Sequence, residues 1–146
     1  MRLIHTVILS LVTSLVLVPS ASAACTLDSI RGKFAGEYYF PEDSRYWATT
    51  GALMVRFDGN GKIIIIKASE GSDDQYGVER GTGTYTLRSD CTGTARLTIK
   101  SGSQITGRGK LDFYVGGTKN NQEIFGSYQD TDLLHSGSIR LIRSHL

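Results

Sequence analysis

Histidine, cysteine and proline are scarce in this chain, and each shortage closes off a class of function. After His5 only His135 and His145 occur. His145 is the last residue but one, and His135 falls in a connection between strands. Neither lies in a motif that would give a serine or cysteine nucleophile its base. No closely spaced pair of histidines or cysteines has the pattern of a zinc site. Glu70, Asp73 and Asp74 read as a solvated loop and Asp58-Gly59-Asn60-Gly61 as a turn, not as calcium loops. No catalytic residue, metal ligand or cofactor is therefore assigned. Two prolines against 17 glycines suit long strands that bend and bulge.

An excess of one charge is missing too. The chain carries 16 basic and 14 acidic residues, a formal net charge of +2. That gives no electrostatic footprint for nucleic acid, and none is expected as a partner. Long apolar runs are absent beyond the N-terminus. Ile63-Ile64-Ile65-Ile66 falls far short of the roughly 18 residues a membrane span needs.

The exception is the first 24 residues. Arg2 supplies a positive start, residues 3–18 are mostly apolar, and Ala21-Ser22-Ala23 is an A-x-A type cleavage site. Residues 1–24 thus read as a secretory signal and 25–146 as one exported domain of roughly 120 residues. Loss of Arg2 leaves 15 basic against 14 acidic residues, a net charge of +1. A secreted or periplasmic location is expected. Cys25 and Cys91 are the only cysteines, and an oxidising compartment favours their pairing. The loop so closed spans about 65 residues, worth on the order of 4 kcal/mol in the chain-entropy picture. A lipid-anchored Cys25 is the rival reading, but Ser22-Ala23-Ala24 lacks the leucine of a lipobox.

The exported part alternates with period two between turn signals. Strands are read at residues 33–40, 51–57, 62–68, 83–88, 94–100, 110–115, 122–129 and 136–143. The inward set is Phe34, Tyr38, Phe40, Leu53, Val55, Phe57, Tyr85, Leu87, Leu97, Ile99, Leu111, Phe113 and Val115. Residues 25–31 can hold a short helical turn. Long links are expected at 41–50, 69–82 and 101–109, all at one end. Eight successive antiparallel strands with short links predict an all-β, up-and-down barrel. A sandwich, the alternative, would normally need a long Greek-key return, and none is evident.

Several segments resemble those of small exported bacterial proteins with calycin-like barrels. The opening Cys25-Thr26-Leu27-Asp28-Ser29-Ile30-Arg31-Gly32-Lys33-Phe34 is similar to theirs. Val55-Arg56-Phe57-Asp58-Gly59-Asn60-Gly61 resembles their second hairpin. Gly83-Thr84-Tyr85-Thr86, running into Asp90-Cys91-Thr92-Gly93-Thr94, resembles their middle one. The resemblance implies an eight-stranded barrel related in shape to lipocalins, avidins and allene oxide cyclase. It implies no activity. Gly32-Lys33-Phe34 resembles the lipocalin Gly-x-Trp with Phe for Trp, and Arg140 or Arg143 is its implied cationic partner.

A barrel mouth lined by aromatics is the candidate binding site. Tyr38, Phe40, Tyr46, Trp47, Tyr85 and Phe113 are the candidate ligand-contacting residues, with Tyr76 able to join the rim. Plugging of one barrel end by such rings is the competing role. Glu37 and Glu123 are read as solvent-facing. One face of the Ile63–Ile66 run needs a cover: residues 25–31, a second copy of the chain, or a partner. The function expected is non-enzymatic binding of a small apolar ligand or a protein partner. The alternatives are a periplasmic protease inhibitor and an allene oxide cyclase-like isomerase. Cys25 so near the start of the exported part leaves no free arm for inhibition.

Overall fold

The computed structural model describes residues 24–42, 48–70, 79–132 and 134–145. The signal segment, Tyr46, Trp47, Tyr76 and the acidic stretch at 71–74 lie outside these residues. A short 3-10 turn, Leu27–Ile30, precedes eight strands. They are β1 (Gly32–Phe40), β2 (Thr49–Phe57), β3 (Lys62–Glu70), β4 (Glu79–Leu87), β5 (Thr92–Ser101), β6 (Gln104–Gly116), β7 (Glu123–Asp130) and β8 (Ser136–Arg143). Each strand pairs antiparallel with the next, and β8 returns to β1, closing the barrel. The seam runs from Phe34↔Arg143 to Tyr39↔Ser138. Closure leaves no sheet edge to be protected. Irregularities in register at Met54/Val55, between Ile65 and Ala68, and at Ile99/Lys100 add local bends.

One expected link is corrected. Residues 101–109 are not a long loop: β5 ends at Ser101, Gly102 and Ser103 turn the chain, and β6 begins at Gln104. The pairs Ser101↔Gln104 and Lys100↔Ile105 make it a tight hairpin. The inward positions of this part of β6 are Gly107 and Gly109, so no apolar alternation marks it as strand. The ladder to β5 holds it instead.

The 3-10 turn forms the base of the barrel. Ile30, its last residue, is fully buried. Cys25 and Cys91 form a disulfide with their Cα atoms 5.1 Å apart, and the Cys25 amide donates to the Ser89 carbonyl at 3.1 Å. The Tyr85 hydroxyl donates to the Leu27 carbonyl at 3.1 Å. Arg143 then ties the turn to the last strand. Its guanidinium sits 4.8 Å over the Phe34 ring and donates to the Arg31 carbonyl at 2.8 Å and the Ser29 carbonyl at 3.2 Å. Its Nε donates to Gln122 Oε1 at 3.1 Å. Arg143, not Arg140, is therefore the cation on Phe34. Arg140 lies outside, over Phe125 at 5.6 Å. Gly32 is required beneath Arg143: its φ is +138°, and a Cβ there would fall 2.5 Å from the guanidinium.

Bulk is concentrated above this base. Phe57 packs edge-on to Phe34 and Tyr85, with centroids at 5.5 and 5.0 Å, and lies 6.2 Å from Phe113. Val55, Ile63, Leu111, Val115, Ile124 and Leu141 are buried around them. Each such side chain contributes roughly 1.5–3 kcal/mol by leaving water. Ile63 and Ile65 belong to this core, whereas Ile64 and Ile66 are only half-buried.

Candidate functional site

The far end of the barrel is built differently. Inward positions there hold many glycines, and large rings lean over them. Tyr38 on β1 covers Gly51 on β2, its direct cross-strand partner. A Cβ at Gly51 would fall 2.3 Å from the Tyr38 ring. Tyr128 on β7 covers Gly109 on β6 with the same 2.3 Å approach. Phe40 covers Gly137 at 2.7 Å. Seating a ring on a glycine of the neighbouring strand gives the ring contact area that a larger residue would deny it.

These rings meet. Phe40 packs edge-on against Tyr38 and against Tyr128, both at 5.8 Å between centroids. His135, just before β8, lies 5.0 Å from the Phe40 ring. Its Nε2 is 2.9 Å from the Pro41 carbonyl. His135 is thus half-buried and hydrogen-bonded, not a free surface histidine.

Tyr128 has the distinctive environment. It is 6% exposed, and its hydroxyl is the one buried side-chain polar atom with no hydrogen-bond partner among the described residues. Such a group costs about 1–3 kcal/mol unless something satisfies it. Burial pushes the phenol's pKa well above its ordinary value, and the negative charges of Asp130, Glu79 and Asp132 push it the same way. It stays neutral, a buried hydrogen-bond donor. Asp130 is itself buried, and its Oδ1 accepts the Asp132 amide at 2.8 Å. Its Oδ2 would lie 2.9 Å from a Cβ at Gly107, while the Tyr128 hydroxyl would lie 4.0 Å from that same atom. Glycine at 107 therefore lets the Asp130 carboxylate pack closely against β6 beside the Tyr128 hydroxyl.

The aromatic residues singled out from the sequence divide between the two ends. Tyr38 and Phe40 belong to this far cluster. Tyr85 and Phe113 belong to the base, where Tyr85 is committed to Leu27 and Phe113 is seated on Gly93. Burial also raises the Tyr85 pKa. Tyr46 and Trp47 lie outside the described residues. Tyr128, Asp130 and His135 complete the cluster and were not singled out as site residues. The available signal was the inward register of β7, Ile124, Gly126, Tyr128 and Asp130, with Gln122 just before it. Too few of these are apolar for the face to stand out. Glu37 is exposed, and Glu123 pairs with Arg140 at 3.4 Å.

Among the described residues, no group of three His, Cys, Asp or Glu side chains is placed to hold a metal ion. No helix among them is long and apolar enough to cross a membrane. No family model matches this chain, and no curated protein or solved structure matches it either.

Proposed function

We propose that this is an exported, disulfide-tied barrel of calycin-like shape that holds one small, mostly apolar molecule beside Tyr128. The observation that carries this reading is the buried, unpartnered Tyr128 hydroxyl. It sits at the glycine-lined end, away from the packed base. Buried polar groups are nearly always hydrogen-bonded, so this donor is a place for a ligand acceptor. Tyr38, Phe40 and His135 supply apolar contact around it. The nearby carboxylates of Asp130, Glu79 and Asp132 oppose an anionic head group. The ligand is therefore a neutral molecule bearing a carbonyl, ether or hydroxyl oxygen, not a fatty acid. Export is supported by the signal-like N-terminus and by the disulfide.

A neutral, solvatochromic dye with a carbonyl acceptor, such as Nile red, tests this reading. Its emission shifts to the blue on binding, with one dye per protein. Tyr128→Phe weakens that binding about fivefold, the loss of one hydrogen bond. Palmitate at equal concentration does not compete. An unshifted emission spectrum, or equal affinity in Tyr128→Phe, would rule the site out.

A further inference from the structure

The outer face of β4–β7 carries a second, unrelated arrangement. On β4 the outward residues are Arg80, Thr82, Thr84, Thr86, followed by Arg88 past the strand end; on β5 they are Thr92, Thr94, Arg96, Thr98 and Lys100. The register aligns Thr86 with Thr94, Thr94 with Asp112 and Asp112 with Ser127. One step along, it aligns Thr92 with Tyr114, Tyr114 with Phe125 and Phe125 with Arg140. Thr86, Arg88, Thr92, Thr94 and Asp112 border a surface groove of about 180 Å³. Tyr114 and Phe125, 52% and 42% exposed, continue from its edge, with the Arg140 guanidinium 5.6 Å over the Phe125 ring.

The chemistry of this strip is that of a sugar site. A pyranose presents hydroxyls that both donate and accept, and an apolar C–H face. A guanidinium, a carboxylate and the remaining hydrogen-bonding capacity of threonine hydroxyls answer the first; Thr86 and Thr94 bond each other at 3.0 Å and Thr92 donates to Asp90 at 2.6 Å. Exposed aromatic rings answer the second. Cations outnumber acids on this face, with Asp90 at the β4–β5 turn close enough to Arg88 to feel its charge. Arg80, Arg88, Arg96 and Lys100 make no ion pair among the described residues. Asp112, the one outward acid of β4, β5 and β6, is held by Lys110 at 2.7 Å. Strands lie about 4.8 Å apart, so the strip from Thr92 to Phe125 spans roughly 10 Å, about two saccharide units of an extended chain.

We propose that this face binds an acidic polysaccharide, with a sugar ring on Tyr114, the edge of Phe125 beside it and a uronate carboxylate on Arg88. The site is on the outside of the barrel and does not depend on the reading of its interior. Affinity electrophoresis in gels containing alginate, neutral dextran or duplex DNA tests it at about 150 mM salt, where diffuse charge effects are largely screened. Alginate retards the protein, while dextran and DNA do not. The Tyr114→Ala/Phe125→Ala double variant and Arg88→Ala each lose about tenfold in affinity. Arg80→Ala/Lys100→Ala, which removes charge away from the groove, changes it less than about twofold. All these side chains are exposed, and unchanged thermal unfolding confirms that the variants fold. An unretarded wild type, equal retardation by DNA, or an equal loss in Arg80→Ala/Lys100→Ala would overturn the proposal.

Discussion

At the scale of single residues, Tyr128 trades stability for a free donor. Its ring fills the space over Gly109, while its hydroxyl is buried without a partner. Tyr128→Phe keeps the ring and removes the orphaned group. In the ligand-free protein it therefore raises stability by about 1 kcal/mol, a rise of roughly 4 °C in the thermal midpoint read by circular dichroism. A residue kept only for packing would show no gain. Cys91 is another residue set against a local preference. It has φ = 68°, the left-handed region, where the matching turn of β2–β3 places Gly61 at φ = 94°. The disulfide to Cys25 requires a cysteine at this position. The inward set was legible because alternation of apolar and polar side chains reports burial directly. Every member of it, from Phe34 to Val115, lies in the core or packs against it. Tyr128 was not legible, since its face of β7 also carries Gln122, Gly126 and Asp130, which have the polarity of a surface. Gln122 is buried because Arg143 binds it, a partner 21 residues away that local pattern cannot reveal.

At the scale of elements, the hairpin turns are set by carboxylates. Asp58 Oδ1 accepts the amides of Asn60 at 2.7 Å and Lys62 at 2.9 Å. These bonds, Asn60 first, lower its pKa below the usual 3.8. Asp90 is lowered the same way by the hydroxyl and amide of Thr92. A depressed carboxylate pKa contributes stability that is complete above the unfolded value. It is lost as pH falls through the lower folded value. Denaturant midpoints measured from about pH 6 to pH 2 therefore fall below about pH 4 in the wild type. Asp58→Asn falls less over that range and is less stable at neutral pH. A parallel fall in both proteins would show that the turn does not titrate. The Asp58 turn was legible from its residues because its geometry is local. The β5–β6 hairpin was not, because Gly107 and Gly109 take the inward places and only the paired ladder defines the strand.

At the scale of the whole molecule, one arginine joins the last strand to the 3-10 turn and the first strand. Arg143 lies on Phe34 and bonds to the carbonyls of Ser29 and Arg31 and to Gln122. Burial lowers its pKa, yet it stays charged at neutral pH. Arg143→Ala leaves those acceptors without their cation and costs about 3 kcal/mol in urea unfolding. Arg143→Lys recovers little, since an ammonium cannot reproduce the planar fork. A loss under about 1 kcal/mol would mean that the base is held without it. The barrel is thus packed and tied at its base and lined by glycine and aromatic rings at its far end. On the proposed reading, a small neutral molecule occupies that far end against Tyr128. Native mass spectrometry of the protein, recovered without denaturation from its own host, tests this most directly. The wild type carries a non-covalent adduct of roughly a few hundred daltons, and Tyr128→Phe loses most of it. A bare mass for the wild type, or the same adduct at the same occupancy in both proteins, would contradict the claim.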